Sequence, residues 1–337
     1  MICLTLTFLT SCTQKNEKGK FSANSFEYFD TVSVITGYAD NQEEFDEISK
    51  RVFEELGEYH RLYSIYHRFD GLENLCTVND LHDGDHRTVT VDKRIIDLLL
   101  YAREVYDLTN GMVNVAMGSV LSLWHDYRTV GMDDPINAQT PPEEALKAAA
   151  EHTDIGNMII DVDNSTVTLT DPEMKLDVGA IAKGYATEQI AKGLEKDGIH
   201  GYVLNFGGNV RVIGAKGDGQ PWTVGIENPT GGDYLEYLSL TDSSVVTSGS
   251  YQRYYIVNGK RYHHIIDPTT LFPAEGFTSV SILCNDSGLA DALSTALFCM
   301  SRDEGKALIE SVPDSEAMWV TEDGDIITTS GWGSFSK

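Results

Sequence analysis

The apolar positions of the first third of the chain recur with the period of a helix. Four of them follow one another every three or four residues: Phe45, Ile48, Val52 and Leu56. This spacing places the side chains on one face of an α-helix. Residues 95–106 repeat the pattern and are followed by Asn110-Gly111, a typical helix end. The first third of the chain is therefore predicted to contain two amphipathic helices.

Two further helices are predicted from local signals. Thr140-Pro141-Pro142-Glu143 has the form of a capping box with proline in the first turn, and it precedes an alanine-rich stretch. After Leu176 the chain changes from an extended apolar run to small residues, and an apolar period then continues through Ile190 and Leu194. This second pattern predicts a strand or extended segment that leads into a helix.

The later chain alternates apolar and polar residues, as strands do. Strands are predicted at 159–162, 166–170, 202–213, 222–226, 237–240, 254–257, 261–266 and 279–284. Asp163-Asn164-Ser165 separates the first two as a hairpin turn, and Asn258-Gly259 favours a type I′ turn. Helices interleaved with antiparallel hairpins predict an α+β fold of mixed or antiparallel sheets and packed helices.

Composition adds a constraint on the ligand. The 337 residues carry 52 acidic and 25 basic side chains, a net charge of -27. Such a surface repels polyanions, so no nucleic-acid partner is expected. A nucleotide phosphate would have to be received locally, by backbone N–H groups, a metal or a few cations.

The first residues predict a membrane anchor. Residues 2–9 form an apolar run too short to span a bilayer, and Thr10-Ser11-Cys12 follows. The run resembles a bacterial lipobox, so residues 1–12 are predicted to be a lipoprotein signal peptide ending in the lipidated Cys12, with a flexible tether at 13–21 and one domain at 22–337. No Lys or Arg precedes the run, unlike in most signal peptides. An N-terminal strand with an incidental cysteine, or a soluble cytoplasmic enzyme, is the alternative.

Small residues and a cation meet at the start of the predicted fourth helix, in Leu176-Asp177-Val178-Gly179-Ala180-Ile181-Ala182-Lys183-Gly184-Tyr185. Free N–H groups at a helix start attract phosphate, and Lys183 would lie within the first turn. A tightly packed strand-to-helix turn with an exposed lysine explains the same residues. Asn205-Phe206-Gly207-Gly208-Asn209 permits a close backbone approach, although a simple hairpin explains it equally well.

Two later segments carry polar side chains of catalytic type. Thr247-Ser248-Gly249-Ser250-Tyr251 and His263-His264-Ile265-Ile266-Asp267-Pro268 could support proton transfer. A Ser–His–Asp hydrolase is weakly supported, since the chain has no G-x-S-x-G nucleophile elbow. If residues 290–296 are helical, Asp291 and Thr295 share one face and suit a hard cation such as Mg²⁺. An ordinary helix with Asp291 near its N terminus is the alternative.

Taken in order, these segments resemble the ApbE family of FAD:protein FMN transferases. The resemblance rests on Phe29-Asp30-Thr31, Leu62-Tyr63-Ser64-Ile65-Tyr66, Thr109-Asn110-Gly111-Met112-Val113-Asn114, Leu176 to Tyr185, Asn205 to Asn209, Thr247 to Gly249, His264 to Pro268 and Ala290 to Ala296. It covers nearly the whole chain after the tether.

The resemblance implies a role for individual residues. FAD contacts are implied for Thr31, Tyr66, Asn114, Val115, Ala116, Asp177, Lys183 and the Ile265 backbone. Metal ligands are implied at the carbonyl of Ala180 and at the side chains of Asp291 and Thr295. His264 matches a histidine that assists proton transfer, and Asp291 is the second residue expected to be catalytic.

The sequence departs from the family pattern at three places. Phe29-Asp30 stands where the family usually has Met-Gly, Asn114 stands where Asp is common, and Thr270-Leu271-Phe272-Pro273 lacks a usual glycine. The changes at Phe29-Asp30 and at Asn114 could alter flavin affinity, and the missing glycine could reshape the loop beside His264. None of them removes an expected metal ligand.

The expected reaction is a divalent-metal-dependent cleavage of the FAD pyrophosphate, with Mg²⁺ or Mn²⁺ as cofactor. FMN would pass to a threonine hydroxyl of an extracytoplasmic acceptor flavoprotein, such as a subunit of a redox complex, and AMP would leave. The alternatives are an FAD pyrophosphatase, with water as the acceptor, and a non-catalytic flavin-binding lipoprotein. The expected location is the membrane surface outside the cytoplasm, through the lipid anchor.

Overall fold

The computed structural model describes residues 18–80 and 87–337, except for the side chain of Arg87. The predicted signal peptide with Cys12, and the tether up to residue 17, lie outside the described residues. Within the described residues, no helix combines the length and the apolar character needed to cross a membrane.

The described chain contains fifteen strands and eight α-helices. The strands are β1 (Gly19–Ser25), β2 (Ser33–Ala39), β3 (Arg87–Thr90), β4 (Met158–Asp161), β5 (Thr166–Leu169), β6 (Tyr202–Phe206), β7 (Asn209–Ile213), β8 (Trp222–Ile226), β9 (Glu236–Leu240), β10 (Ser244–Gly249), β11 (Tyr254–Val257), β12 (Lys260–His263), β13 (Phe277–Cys284), β14 (Glu316–Thr321) and β15 (Ile326–Thr328). The helices are α1 (Gln42–Tyr63), α2 (Leu75–Asp80), α3 (Lys93–Leu108), α4 (Gly118–Asp133), α5 (Glu143–Ala150), α6 (Ala182–Lys196), α7 (Ser287–Cys299) and α8 (Arg302–Ser311).

Eight strands form the main sheet, in the order β1-β2-β6-β7-β10-β13-β14-β15. Every neighbouring pair in it is antiparallel. Three small antiparallel sheets accompany it: β3-β5-β4, β8-β9 and β11-β12. Together with the helices, these sheets confirm the predicted α+β class.

The main sheet is buried on both faces. Val246 and Ile282 pack into the large helix-side core that contains α3 and α7, whereas their chain neighbours Val245 and Leu283 pack against the β8-β9 hairpin. Successive side chains of a strand point to opposite faces, so one strand serves both cores. The fold is therefore layered, with helices on one side of the sheet and a hairpin on the other.

Most predicted elements are confirmed, with three corrections. Helices α1, α3, α5 and α6 occur where predicted, and both central residues of the Asn258-Gly259 turn have positive φ, as in a type I′ turn. The predicted capping box is wrong, because Pro142 is the N-cap of α5 and no side chain caps it. The predicted strand 202–213 is two strands joined by a tight turn at Gly207-Gly208. Finally, β1 begins at Gly19, so residues 19–21 of the expected tether belong to the sheet.

Helices α6 and α7 cross at Gly184. A Cβ atom on Gly184 would lie 2.4 Å from both the Cβ of Asp291 and the carbonyl oxygen of Ser287. Only a residue without a side chain fits this contact. The backbones of the two helices therefore approach more closely than ordinary side chains would allow.

A buried ion pair joins the same helices to the sheet. Arg211 on β7 donates from Nε to Glu188 of α6 at 3.1 Å and from Nη2 to Glu195 at 2.8 Å. The carboxylate of Glu188 also accepts from the N–H of Ser287, the first residue of α7. Burial raises the pKa of Glu188, and the Arg211 charge opposes that shift. Strand and both helices thus share one charged contact.

Substituting Gly184 tests the close crossing. We expect Gly184→Ala to lower the free energy of unfolding by about 1–3 kcal/mol, because the added methyl group overpacks the α6–α7 contact. The measurement is the midpoint of urea unfolding at unchanged slope.

Gly193 provides the matched control on the same helix, since a Cβ there would meet its nearest atom, on Arg51, at 3.6 Å. Gly193→Ala should leave stability unchanged or raise it by about 0.5–1 kcal/mol. Equal stability of the two variants would contradict the close crossing.

Candidate active site

One large cavity of about 1270 Å³ is lined by the start of α6 and by strands of the main sheet. Its walls come from the end of α1, from α4, from the β6–β7 turn, from the β8–β9 hairpin and from α7. Sites for drug-sized ligands occupy about 300–1,000 Å³. The cavity therefore has room for a ligand as large as a dinucleotide.

The carboxylate of Asp291 reaches from α7 into the start of α6. Its Oδ2 accepts a hydrogen bond from the N–H of Gly184 at 2.7 Å, and the residue is only 6% exposed. The N-cap of α6, Ile181, makes no side-chain capping bond. A residue of another helix thus supplies part of the capping that this helix lacks.

The start of α6 has fewer available donors than the sequence suggests. The N–H groups of Ile181 and Ala182 both donate to the carbonyl of Val178, and that of Gly179 donates to Asp177. With Gly184 bonded to Asp291, four N–H groups of this segment already have protein partners. The expectation that they form a backbone phosphate site is therefore wrong for these four groups.

Lys183 supplies a cation at the same place. Its Nζ donates to the carbonyl of Gly207 at 3.3 Å, and the side chain lines the cavity. Burial lowers the pKa of Lys183 and raises that of Asp291, while the attraction between the two charges opposes both shifts. The lysine and the carboxylate thus line the same buried space and attract each other.

The three residues expected to bind a metal all line the cavity: Ala180, Asp291 and Thr295. Asp291 forms no ion pair within 4.0 Å in the described ranges 18–80 and 87–337. A buried carboxylate without a close cation is costly, and a bound cation would compensate it. No group of three or more His, Cys, Asp or Glu side chains suited to a metal exists among the described residues. The donors are thus a carboxylate, a hydroxyl and a carbonyl, an oxygen set that fits Mg²⁺ better than Zn²⁺.

His264 also lines the cavity, and a hydrogen bond fixes the tautomer of its ring. Its Nδ1 is 3.2 Å from the carbonyl oxygen of Arg253, which can only accept, so Nδ1 carries the proton and Nε2 keeps its lone pair. Burial lowers the pKa of His264 to about 3, and the nearby Arg253 guanidinium adds to this shift. The imidazole is therefore neutral near pH 7 and can accept a proton at Nε2.

Tyr66 and Asp177 line a second part of the cavity. The Tyr66 ring is 54% exposed, and its centroid is 5.0 Å from that of His125. Asp177 accepts from the N–H of Gly179 at 2.8 Å, and burial raises its pKa. This wall offers an open aromatic face beside a carboxylate.

Of the remaining residues expected to contact FAD, only some line the cavity. Asn114 lines the cavity, but its amide is already bonded to the carbonyl of Thr153 and to the N–H of Ala116. Val115 and Ala116 are 2% and 0% exposed and belong to the core; neither lines the cavity. Ile265 lines it, although its N–H donates to His263 and its carbonyl accepts from Ala274.

Thr31 lines the cavity from a strained turn. The N–H of Thr31 donates to the carbonyl of Tyr28, and the two residues between them, Phe29 and Asp30, have φ of 52° and 51°. These are the features of a type I′ turn, which glycine and asparagine favour. Left-handed backbone costs other residues about 1–2 kcal/mol each. The departure Phe29-Asp30 therefore falls on two positions that glycine would occupy without strain.

Five basic or histidine side chains of this cavity were not predicted from the sequence: Lys20, His60, His125, Arg128 and Arg253. Arg128 and His125 lie on α4, where Arg128 Nη2 donates to His125 Nδ1 at 3.1 Å. Arg253 follows the Thr247–Tyr251 cluster by two residues. Their signal was the scarcity of cations in an acidic chain, but only the fold shows which of the 25 basic side chains face the cavity.

The chain is similar to known proteins in both sequence and fold. The model of the ApbE family matches residues 29–319. An FAD:protein FMN transferase of Klebsiella pneumoniae is 31% identical over 282 residues, which are 80% of this chain and 84% of that protein. One of Treponema pallidum is 35% identical over 259 residues, 72% of this chain and 70% of that protein.

Two solved structures share the fold. The ApbE protein of Thermotoga maritima has a TM-score of 0.81 and 30% identity, covering 95% of this chain and 100% of its own. The flavin transferase ApbE of Vibrio cholerae has a TM-score of 0.77 and 25% identity, covering 94% and 99%. Sequence and fold thus agree over nearly the whole described chain: the protein belongs to the ApbE family.

Proposed function

We propose that the protein is an FAD:protein FMN transferase that uses a divalent metal ion. The observation that carries the proposal is Asp291, a buried carboxylate that has no ion pair within 4.0 Å among the described residues. It lines a cavity of dinucleotide size together with Lys183 and Thr295. The relatives in Klebsiella and Treponema bear the name of this activity. The reaction breaks the FAD pyrophosphate and joins FMN to a threonine of a second protein.

Asp291, Thr295 and the carbonyl of Ala180 would hold the metal, with Mg²⁺ preferred and Mn²⁺ as the alternative. When bound, such an ion neutralises charge on the pyrophosphate oxygens and on the leaving AMP. All three groups would coordinate through oxygen, and this supports the assignment because hard cations prefer oxygen ligands.

Cations of the cavity would bind the pyrophosphate. Lys183 is held by the carbonyl of Gly207, and Arg128 and Arg253 line the same space. Four N–H groups at the start of α6 already have protein partners. Most of the hydrogen bonds from the protein to the phosphates would therefore come from these three side chains. They also offset the repulsion between a phosphate and a chain of net charge -27.

The flavin would lie against the open face of Tyr66, where ring stacking is available. Asp177 lies in the same wall and can accept a hydrogen bond from a hydroxyl or from the N–H of the ring. Thr31 closes this part of the cavity from the β1–β2 turn. These contacts fix the FMN half of the substrate while the AMP half departs.

His264 would take the proton of the attacking threonine. The hydroxyl oxygen attacks the FMN phosphorus, the phosphorus–oxygen bond to AMP breaks, and the hydroxyl proton passes to Nε2 of His264. A pKa of about 3 describes the ligand-free cavity; the negative charge of a bound pyrophosphate favours the protonated form and raises this pKa.

We also propose that the protein is anchored outside the cytoplasm through a lipid on Cys12. The apolar run at 2–9 and the Thr10-Ser11-Cys12 sequence support this location. The acceptor would then be an extracytoplasmic flavoprotein subunit of a redox complex.

Asp291→Asn tests the metal site and the reaction together. Asparagine can still accept from the Gly184 N–H, so the helix start keeps its cap while the charge is lost. We expect FMN transfer from FAD to an acceptor domain to fall by roughly a hundredfold or more, because metal stabilisation of the transition state contributes several kcal/mol. AMP release and covalent flavin fluorescence on the acceptor are measured with Mg²⁺.

Asp323→Asn, at an exposed turn, is the control and should leave both signals intact. Unchanged transfer in Asp291→Asn would overturn the metal assignment. In the native protein, AMP and free FMN without acceptor labelling would instead identify a pyrophosphatase, and no turnover at all would identify a flavin-binding protein.

His264→Asn tests the proton acceptor. The new amide can still donate to the Arg253 carbonyl, but it lacks Nε2, so we expect kcat to fall by about 10²–10⁴. Because the His264 imidazole is neutral down to about pH 3, kcat/KM of the native protein should show no loss from His264 between about pH 7.5 and 5. An acid limb near pH 6.5 that disappears in His264→Asn would contradict the assigned protonation state.

Cys12→Ser tests the anchor. We expect the variant to move from the membrane fraction to the aqueous phase in detergent partitioning, because the acyl chains provide the membrane affinity. Equal partitioning of both proteins would show that Cys12 carries no lipid.

A further inference from the structure

The turn before Thr31 is held in its left-handed conformation by neighbours on three sides. The N–H of Phe29 donates to Nδ1 of His60 at 3.1 Å. The guanidinium of Arg253 donates to the carbonyl of Asp30 at 3.4 Å. The N–H of Gly207 donates to the carbonyl of Val32, the residue after Thr31, at 3.0 Å. Two strained residues need such restraints to keep their conformation.

Like Arg253, His60 bonds to the strained backbone itself, at the N–H of Phe29. It lies in the last turn of α1, and its ring also packs edge-on against Phe29 and Phe69. Because an N–H donates to Nδ1, this nitrogen must be unprotonated. Burial lowers the pKa of His60, which agrees with a neutral ring.

The turn is connected to the phosphate side of the cavity. The side chain of Thr31 lies directly over Gly207, since a Cβ added there would be 2.0 Å from Thr31 Oγ1. The carbonyl of Gly207 in turn accepts from Lys183. A shift of the turn would therefore move the backbone that holds the Lys183 ammonium.

We infer that His60 is a positioning residue for FAD: it fixes the Phe29-Asp30 turn and thereby sets Thr31 against Gly207, where Lys183 is bound. The inference rests on FAD as the ligand of the cavity. It assigns no contact between His60 and the reacting atoms.

The test measures FAD binding by calorimetry without metal or acceptor, followed by steady-state kinetics. His60→Phe keeps the aromatic packing and removes the Nδ1 acceptor. We expect Kd for FAD to rise about fivefold, the effect of losing one neutral hydrogen bond. KM should rise with it while kcat stays nearly constant, the signature of lost uniform binding.

Two substitutions of the same residue separate the acceptor from bulk packing. Asparagine places Oδ1 where Nδ1 lies, so His60→Asn should bind FAD within about twofold of the native protein. His60→Gln places its oxygen near the Nε2 position and should resemble His60→Phe. His67→Phe, an exposed histidine outside the cavity wall, is the matched control and should change nothing.

Relief of strain gives an independent test. Glycine adopts positive φ without cost, so adding Asp30→Gly to His60→Phe should restore FAD affinity. Asp30→Ala removes the same carboxylate but keeps the strain, and it should not restore affinity.

Native affinity in His60→Phe, or equal rescue by glycine and alanine, would overturn the inference. Should His60→Phe fail to fold, weaker binding in His60→Gln than in His60→Asn supports the inference, and equal binding refutes it. Absence of FAD binding by the native protein would instead refute the proposed function.

Discussion

The close crossing of α6 and α7 at Gly184 is the contact on which the active site depends. Because Gly184 has no side chain, the Asp291 carboxylate comes within hydrogen-bonding distance of the first turn of α6. The same crossing buries the carboxylate and leaves Lys183 facing it. Any larger residue at position 184 would separate the helices and, with them, the two charges. One structural contact thus sets both the stability of the helix pair and the electrostatics of the cavity.

Periodicity predicted the elements whose buried faces are strongly apolar, such as α1 and α3. It missed β2, although its burial alternates perfectly, because the buried positions of that strand are Ser33, Ile35, Gly37 and Ala39. Position 37 has to be small, because a Cβ on Gly37 would lie 2.2 Å from the ring of Tyr202 on the neighbouring strand. A strand selected for close packing therefore carries little hydrophobic signal.

The expected site residues also fall into two groups, those that line the cavity and those that do not. Residues that the family pattern marks by side-chain chemistry, such as Asp177, Asp291 and His264, line one cavity. Val115 and Ala116, marked only by their place in a segment, lie in the core. Arg128 and Arg253 were missed because a cation in a helix or a loop has no local pattern that tells cavity from solvent. Which side chains converge depends on contacts between distant parts of the chain, and these are not encoded in any one segment.

The layered sheet also has a consequence for the order in which this protein can mature. The cavity wall includes Thr31 near one end of the described chain and Thr295 near the other, and the main sheet contains strands from both regions. A growing chain that lacks α7 has Tyr66 and Asp177 of the cavity wall but not Asp291. Such a fragment, even when it includes β13, has an open sheet edge where β14 should pair, and exposed apolar surface of the kind that aggregates. Synthesis of nearly the whole chain therefore precedes both a complete main sheet and a complete active site.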